Sequence, residues 1–443
     1  MKDNIYENTS VKRLILYFSV PAILSLIVEI LASVVDTAFA GHLGSQSVDA
    51  LTAMGILTPL LNLFTSVQSL FAVSTSVFTA KYLNDKIKRD GFFVTGLLMS
   101  AIVSTTFSLI IHFSLNHVLN MLNAQGNVFF LAESYLKIQL LSNIFSSIGY
   151  TLTSIIRAYG FPEAEMKITI SSVIVNILFN AILTFGFRAG FAGLAAGTLI
   201  SEVICALYAF IWLKKHFLLP SSYHISMSVF IGNLKELVKL GLAETLIQSV
   251  GGCTGFFVNN SIMLHLGIAY IGIWNVVQNI YTLLLMPVVG ITQAVQTIIA
   301  YFNGQGNEEK KKKTIKSTTF ATVSYGIAAT IFVFISGSSV LSIFLHSDEL
   351  VCSAVTVLRI AFAGFSLTGI FYTIMTLFEV TGHEIRAVVM ILMRQVFLMV
   401  PLVYILPYLL KGVSLSVFFA IPASDVLALF ITLILLFRIK RTA

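Results

Sequence analysis

The feature that most limits this chain is its succession of long apolar runs, separated by brief polar stretches that hold most of the charge. Crossing a hydrocarbon layer about 30 Å thick takes about 20 apolar residues per helix, and run after run reaches that length. Backbone amides find no water in lipid, so a spanning segment must bond internally as a helix or join a closed barrel. Barrel strands alternate apolar and polar residues over about ten positions, and that alternation is absent. The predicted class is therefore an all-α polytopic membrane protein. Composition agrees: 57% of the residues are hydrophobic and 11% charged, against about 25% charged in soluble proteins. Too little polar surface remains to cover water-facing globules, and disorder, coiled coil, collagen and a small disulfide scaffold are excluded on the same ground.

Reading the runs between polar punctuation predicts twelve transmembrane helices, at 14–40, 51–80, 91–115, 131–158, 166–187, 191–213, 237–264, 269–300, 315–337, 351–380, 385–409 and 413–437. Twelve such spans use about 240 residues and leave no room for a large extramembrane domain. Of the 27 Lys and Arg, 22 fall on one side of this layout, from Lys2, Lys12 and Arg13 to Arg438, Lys440 and Arg441. The opposite loops hold Arg188 and Lys411, while Lys137, Arg359 and Arg394 fall within spans. The positive-inside rule then places both termini in the cytoplasm. The net charge of +7 is topological rather than a sign of nucleic-acid binding. The run Lys310–Lys313 is read as a solvated anchor, with anionic lipid or a partner as the alternative. A cleavable signal peptide is not expected, because Asp3 and Glu7 interrupt the start and the first apolar run is too long. Cys205, Cys253 and Cys352 lie in apolar runs without metal or redox spacing and are read as small core residues.

The chain also repeats itself at an offset near 223. His42-Leu43-Gly44 returns as His265-Leu266-Gly267, and Ser201-Glu202-Val203 as Ser424-Asp425-Val426. Gly160 falls one residue off this register from Gly382. An even number of spans per half means that both halves run the same way. The predicted architecture is two parallel-repeat six-helix bundles around a central cleft, residues 1–213 and 237–443, joined by a cytoplasmic linker at 214–236. A cleft between such bundles can open alternately to either side. A channel or a lipid-facing enzyme needs no such duplication.

The residues then resemble a known family. Val35-Asp36-Thr37-Ala38-Phe39 with Gly41 and Gly44 is similar to the end of the first helix in multidrug and toxic compound extrusion (MATE) transporters, and Pro21 matches that family's helix-bending proline. Asn176 through Asn180, Phe185-Gly186, Gly193 through Thr198 and Ser201 resemble its fifth and sixth helices. Gly290 through Gln293, Gln296 and Tyr301 through Gly304 resemble its eighth. Arg394-Gln395, Pro401, Pro407 and Pro422 through Asp425 are similar to the bacterial subgroup of DNA-damage-inducible and staphylococcal multidrug members. The resemblance implies efflux of amphipathic organic cations and related drugs across the plasma membrane, driven by inward proton or sodium flow. Many members carry Asp where this chain has Asn180. An amide there removes formal charge from a sodium site and leaves Asp36 as the principal titrating group, with H+ as coupling ion and Na+ as the alternative. No cofactor is expected, and a monomer surrounded by membrane lipids is the expected state.

Burying an ionised carboxylate in lipid costs several kcal/mol unless it is paired or neutralised, so each intramembrane acid invites a role. Glu29 and Asp36 are two helical turns apart on one face, while Asn176 with Asn180, and Thr198 with Glu202, share faces at i, i+4. From the outer helix ends, Asp36, Asn180 and Thr198 fall at roughly 6, 10 and 10 Å, and Glu29, Asn176 and Glu202 at roughly 16 Å. The expectation is two polar layers, an outer coupling layer of Asp36, Asn180 and Thr198 joined by Asn176, and a deeper one around Glu29 and Glu202 suited to substrate contact. The repeat positions of Glu29 and Asp36 are Gly252 and Asn259, so proton coupling is expected in the N-terminal bundle. Desolvation favours a neutral acid, while water or a nearby cation favours its anion. Asp36 is therefore expected to lose its proton when cationic cargo binds and regain one when cargo leaves outside.

Asp425, at the repeat position of Glu202, is a candidate substrate or polar-layer residue of the second bundle, or the partner of Arg394, which is read as pairing with Asp425 or Glu379 or as contacting substrate. Glu379 and Glu244 are placed near cytoplasmic ends, where snorkelling or loop pairing is expected. Glu133 and Lys137 read as a structural i, i+4 pair. His112 and His117, five apart, do not share a face and suggest no metal site. The alternative function is a flippase for a lipid-linked precursor, which would place several Arg or Lys in the cavity. A prenyl-diphosphate transferase would need clustered Asp for Mg²⁺, and no phosphate-binding GxxxxGK[ST] loop occurs to drive transport with ATP. An enzyme is not expected.

Overall fold

A computed structural model describes residues 5–122, 124–220, 226–342, 348–410, 413 and 415–442, without the side chains of 251–253, 268–269, 348–350 and 435–442. Lys2, Lys411 and linker residues 221–225 lie outside the described residues, as do the side chains of Cys253, Arg438, Lys440 and Arg441. Among the described residues there are helices and no strands. They run as α1 (Ile5–Asn8), α2 (Val11–Gly41), α3 (Ser47–Lys81), α4 (Lys86–Phe113), α5 (Leu115–Met121), α6 (Gly126–Ala158), α7 (Pro162–Ala181) and α8 (Gly190–Lys215). Then follow α9 (Met227–Leu266), α10 (Ile268–Gly304), α11 (Glu308–Leu341), α12 (Asp348–Phe362), α13 (Phe365–Val380), α14 (Glu384–Leu392), α15 (Val400–Leu409) and α16 (Ala420–Thr442). Ten helical stretches among the described residues are long and apolar enough to cross a membrane. Two more long helices, α6 and α9, fall outside that set. In α6 the reason is a polar stripe, Asn143, Ser147, Thr151 and Ser154, which is buried inside the protein.

The chain divides into two compact units. The first comprises Met1–Ser10, Leu16–Thr245 and Ala300–Asn307, and the second Val11–Ile15, Leu246–Ile299 and Glu308–Ala443. In unit 1, α6 is the central helix, packed against α3, α4, α7 and α8. Its apolar core joins Leu57 and Phe64 of α3, Leu136 and Leu140 of α6, and Phe191 and Leu194 of α8. Lipid tails are as apolar as leucine, so helix association in a membrane leans on close packing and interhelical hydrogen bonds. Both are present. Gln68 Nε2 donates to Asn143 Oδ1 over 2.8 Å, and Asn143 Nδ2 donates to Ser108 Oγ over 3.0 Å, tying α3, α6 and α4 together. Near its middle α9 seats on α3, where Thr245 Oγ1 donates to the Ser66 carbonyl over 3.0 Å. The short α1 is anchored by Tyr6, which is fully buried, stacks on Tyr301 at 4.4 Å and donates to the Ala158 carbonyl over 2.9 Å. Unit 2 builds its core from Val277, Val333, Phe362, Phe365 and Phe418, with α11 packed on α12 and α13.

Three local features differ from the predicted spans. The span at 351–380 is two helices, broken at 363–364, where Leu367 N–H bonds the Gly364 carbonyl over 2.9 Å. A side chain at Gly364 would meet Pro422 Cα at 3.1 Å, so the break brings this backbone against α16. π-helical turns, absent from the sequence reading, occupy Ile182–Gly186 after α7 and Met393–Met399 between α14 and α15. Pro21 lies inside α2, which continues through it. Its missing N–H leaves one carbonyl of the preceding turn without its helical partner.

The sequence repeats have matching local geometry. His42 Nδ1 contacts the Ala38 carbonyl at 2.7 Å and His265 Nδ1 the Ser261 carbonyl at 2.9 Å, each four residues back. The glycines that follow are both left-handed, Gly44 at φ 63° and Gly267 at φ 89°, as are Gly160 at φ 95° and Gly382 at φ 85°. Ser201 and Ser424 each donate to the carbonyl three residues back over 2.8 Å.

Candidate functional site

The polar residues of unit 1 converge from three helices. Asp36, five residues before the end of α2, accepts a 2.6 Å hydrogen bond at Oδ1 from Asn180 Nδ2. The same Asn180 amide donates to Asn176 Oδ1 over 3.2 Å, one turn back on α7. Asn176 Nδ2 then donates to Thr198 Oγ1 of α8 over 3.1 Å, and Thr198 donates to the Leu194 carbonyl over 3.1 Å. Four predicted site residues thus form one hydrogen-bonded row. Asn180 is fully buried and Asn176 8% exposed, whereas Asp36 and Thr198, at the two ends of the row, are half-buried. Asn176 belongs here even though its Cα depth matched the deeper layer. A side chain of this length reaches along the helix axis by most of a turn.

Gly197 makes this row possible. A Cβ there would lie 2.7 Å from Asn180 N and 3.0 Å from its Cα, closer than real Cβ atoms approach. Asn180 Oδ1 fills the space that a side chain at 197 would take, and it is buried without a hydrogen-bond partner. With both amide hydrogens committed, to Asp36 and to Asn176, the orientation of Asn180 is fixed by its donors. Two residues further on, the π-helical turn begins. Such turns insert one extra residue per turn and are frequent beside functional sites.

The deeper acids are coupled electrostatically. Glu29 lies within electrostatic reach of Glu202, Glu165 and Arg157, and the Tyr150 hydroxyl feels Glu29, Glu165 and Arg157 together. Arg157 is committed to Glu165 at 2.9 Å in a buried ion pair. Glu202 interacts with the Ser146 hydroxyl. Two carboxylates, Glu29 and Glu202, therefore stand beside a cation already neutralised by a third, which leaves this part of unit 1 acidic.

The comparisons with known proteins fit this arrangement. The family model described as MatE matches the chain twice, at residues 21–182 and 245–405. The chain belongs to the MatE family. The two matches start 224 residues apart and end 223 apart, close to the offset of the sequence repeat. The chain is similar to the multidrug export protein MepA of Staphylococcus aureus strain N315, 25% identical over 439 residues, covering 95% of this chain and 94% of that protein. The MepA of Staphylococcus saprophyticus is 25% identical over 420 residues, covering 92% of this chain and 90% of that protein. Among solved structures, MATE in complex with MaL6 matches with a TM-score of 0.91 at 20% identity, over 100% of this chain and 99% of that one. A MOP superfamily transporter from Pyrococcus furiosus, reported with a binding pocket of reversed polarity that suggests a different function, matches with a TM-score of 0.91 at 20% identity, over 100% and 98% of the two chains. As a member of the MatE family the protein is an integral membrane transporter and not an enzyme.

Within this MatE protein, Asp425 belongs to unit 2. It is 3% exposed, and its Oδ1 accepts from Arg394 Nε over 2.7 Å. The Arg394 guanidinium lies over the Phe371 ring at 5.4 Å. Of the two roles the sequence allowed for Asp425, the geometry therefore favours the partner of Arg394. Glu379 differs from the expected snorkelling side chain. It is 2% exposed and accepts from Gln296 Nε2 over 2.9 Å, because the last turn of α13, which ends at Val380, packs in an apolar cluster with Met375 and Phe378. Glu133 and Lys137 pair at 2.7 Å as their spacing predicted.

Two buried polar groups escaped the sequence reading. One is the Gln68–Asn143–Ser108 network; its signal was the spacing of Asn143, Ser147 and Thr151 at steps of four on α6. The other is the pairing of Arg89 and Arg157, counted as loop anchors but 6% and 5% exposed and bound to Asp90 and Glu165. Counting charge by loop does not reveal which guanidinium folds back.

Proposed function

We propose that this MatE-family protein is a secondary active multidrug antiporter that exports amphipathic organic cations in exchange for protons by alternating access. Twelve helices would form two parallel six-helix bundles, 1–213 and 237–443, around a cleft, with 214–236 as the cytoplasmic linker, both termini cytoplasmic and the chain a monomer in the plasma membrane. The observation that carries the reading is the half-buried Asp36 held by the fully buried Asn180 at the end of a row reaching Thr198. A carboxylate with one fixed amide donor can hold or release a proton without losing its position, since Oδ2 remains for the proton while Oδ1 stays bonded. Asn180 supplies donors rather than charge to its neighbours, which favours H+ over Na+ as the coupling ion. Glu29 and Glu202 would meet the cation of the cargo, with Arg157 withheld from them by Glu165. The flippase alternative loses support for the same reason. The buried arginines Arg89, Arg157 and Arg394 are each paired with a carboxylate and do not offer a site for a diphosphate.

The test is uptake of a fluorescent organic cation into proteoliposomes under an imposed pH gradient or an imposed Na+ gradient, with and without Asp36→Asn. Uphill movement with the pH gradient alone, lost in the variant while the protein remains monodisperse, is the expected result. Drive by Na+ alone would transfer the coupling role to sodium. Uphill transport retained by Asp36→Asn would end the proposed role of this acid.

A further inference from the structure

Away from the Asp36 row, unit 1 contains a small cavity of about 160 Å³ where the start of α7, the end of α8 and the first turns of α2 come together. Four aromatic side chains, Tyr17, Phe161, Tyr208 and Trp212, line it with Glu163 and Lys167. Phe161 meets Trp212 edge to face at 5.1 Å, and His216 stacks on Trp212 at 3.9 Å. Glu163 lies within electrostatic reach of the Tyr17 hydroxyl. One helical turn separates Glu163 from Lys167, yet the two form no ion pair among the described residues, where Glu133 and Lys137 at the same spacing do. The cavity therefore presents an acid and a base that are not spent on one another, beside a cluster of packed aromatic rings.

Size narrows the guest. A water molecule needs about 10–15 Å³ of such space, and drug-sized clefts run to about 300–1,000 Å³. A headgroup fits between these limits. Aromatic faces around a carboxylate attract an ammonium, as desolvated cation–π contacts do, and the neighbouring Lys167 suits a phosphate. Bilayer interfaces ordinarily gather Trp and Tyr as a belt, but a belt does not require a carboxylate at the rim of an aromatic pocket, where the exposed Glu163 stands. The surroundings are apolar and open: Leu16 and Val20 of α2, and Leu207 and Ile211 of α8, are each at least half exposed. Acyl chains attached to a headgroup in the cavity would have these faces to lie on. Lys214 and Lys215 at the end of α8 put the cavity on the side that the basic loops mark as cytoplasmic.

We infer that this cavity is a binding site for the zwitterionic headgroup of a membrane phospholipid, its ammonium held by Glu163 among the aromatic rings and its phosphate by Lys167. The site is separate from the coupling row and does not depend on the proposed antiport. Trp212 is a built-in reporter, because the second tryptophan, Trp274, is 6% exposed in the core of unit 2 and gives a constant background. The experiment titrates the full-length protein in detergent with dihexanoyl phosphatidylethanolamine, dihexanoyl phosphatidylglycerol and hexadecyltrimethylammonium, following tryptophan emission. Phosphatidylethanolamine is expected to give a saturable change, and phosphatidylglycerol none. Glu163→Gln should weaken ethanolamine binding about tenfold, the size of one lost charge-assisted bond. Lys167→Met should weaken the phospholipid and leave the quaternary ammonium unchanged. Circular dichroism and gel filtration of both surface variants confirm their fold. Equal responses to the two phospholipids, or no effect of Glu163→Gln, would overturn the inference. Saturable binding of hexadecyltrimethylammonium without any of phosphatidylethanolamine would also overturn it, marking the site as one for organic cations rather than lipid.

Discussion

Asn180 donates both of its amide hydrogens, to Asp36 over 2.6 Å and to Asn176 over 3.2 Å, while its own oxygen lies against Gly197. The acid of α2 is thus positioned by an amide of α7 that is itself locked by a glycine of α8. Removing any one of the three disturbs the other two.

Gly197→Ala should be disruptive out of proportion to one methyl group. Its Cβ would press on the backbone of Asn180 at 2.7–3.0 Å, where neither partner can rotate away. Overpacking of this kind typically costs about 1–3 kcal/mol. Gly55→Ala is the matched control, since nothing lies within 4 Å of a Cβ there. Its helical position should make it neutral or up to about 1 kcal/mol more stable. Thermal unfolding of the two variants in detergent, with transport of a fluorescent cation as the second readout, checks the contrast. Equal effects would mean that the close seating of α7 on α8 is not what holds Asn180.

Arg394 and Asp425 should behave as a coupled pair. Deleting one member of a buried ion pair strands the other and costs about 3–5 kcal/mol, while replacing both with apolar residues is often close to neutral. Arg394→Met is therefore expected to lower the melting temperature sharply, and Arg394→Met with Asp425→Leu to recover much of the loss. A double-mutant cycle measures this directly. Additive losses would show that Arg394 draws its support from the Phe371 face rather than from the carboxylate.

The amino-terminal turn is expected to contribute to stability through Tyr6. Tyr6→Phe keeps the stack on Tyr301 and loses the bond to the Ala158 carbonyl, a loss of about 0.5–1.5 kcal/mol. Tyr6→Ala empties a fully buried site and should cost about 3–5 kcal/mol. Limited proteolysis near the amino terminus, together with thermal unfolding, separates the two. A Tyr6→Ala protein as stable as the parent would mean that α1 adds nothing to unit 1.

Much of the site was legible in the sequence because helical spacing is a local property. Asn176 and Asn180 share a face by being four apart, and Asp36 stands out because an acid in an apolar run is rare. What spacing could not supply was the sharing of partners. Asn176 and Asn180 could each have bonded across to any neighbouring helix, and the row to Thr198 exists because α7 and α8 close on Gly197. Glu379 shows the opposite failure. Its position near the end of a run suggested a solvated tip, but Gln296 draws it into the core.

The sequence by itself determined that this chain lives in a membrane as helices, that its first long apolar run carries acids which the repeat counterpart lacks, and that it is duplicated. Those properties follow from the length and composition of apolar runs and from an offset within one string of residues. Only the tertiary structure decided that Asp36 is held by Asn180, that Asp425 is tied to Arg394, and that π-helical turns stand beside both pairs. The physical reason is range. Helix formation is settled by bonds four residues apart, whereas these pairs join residues 144 and 31 positions apart. Which partner a buried acid takes depends on how closely whole helices approach, down to the absence of one methyl group.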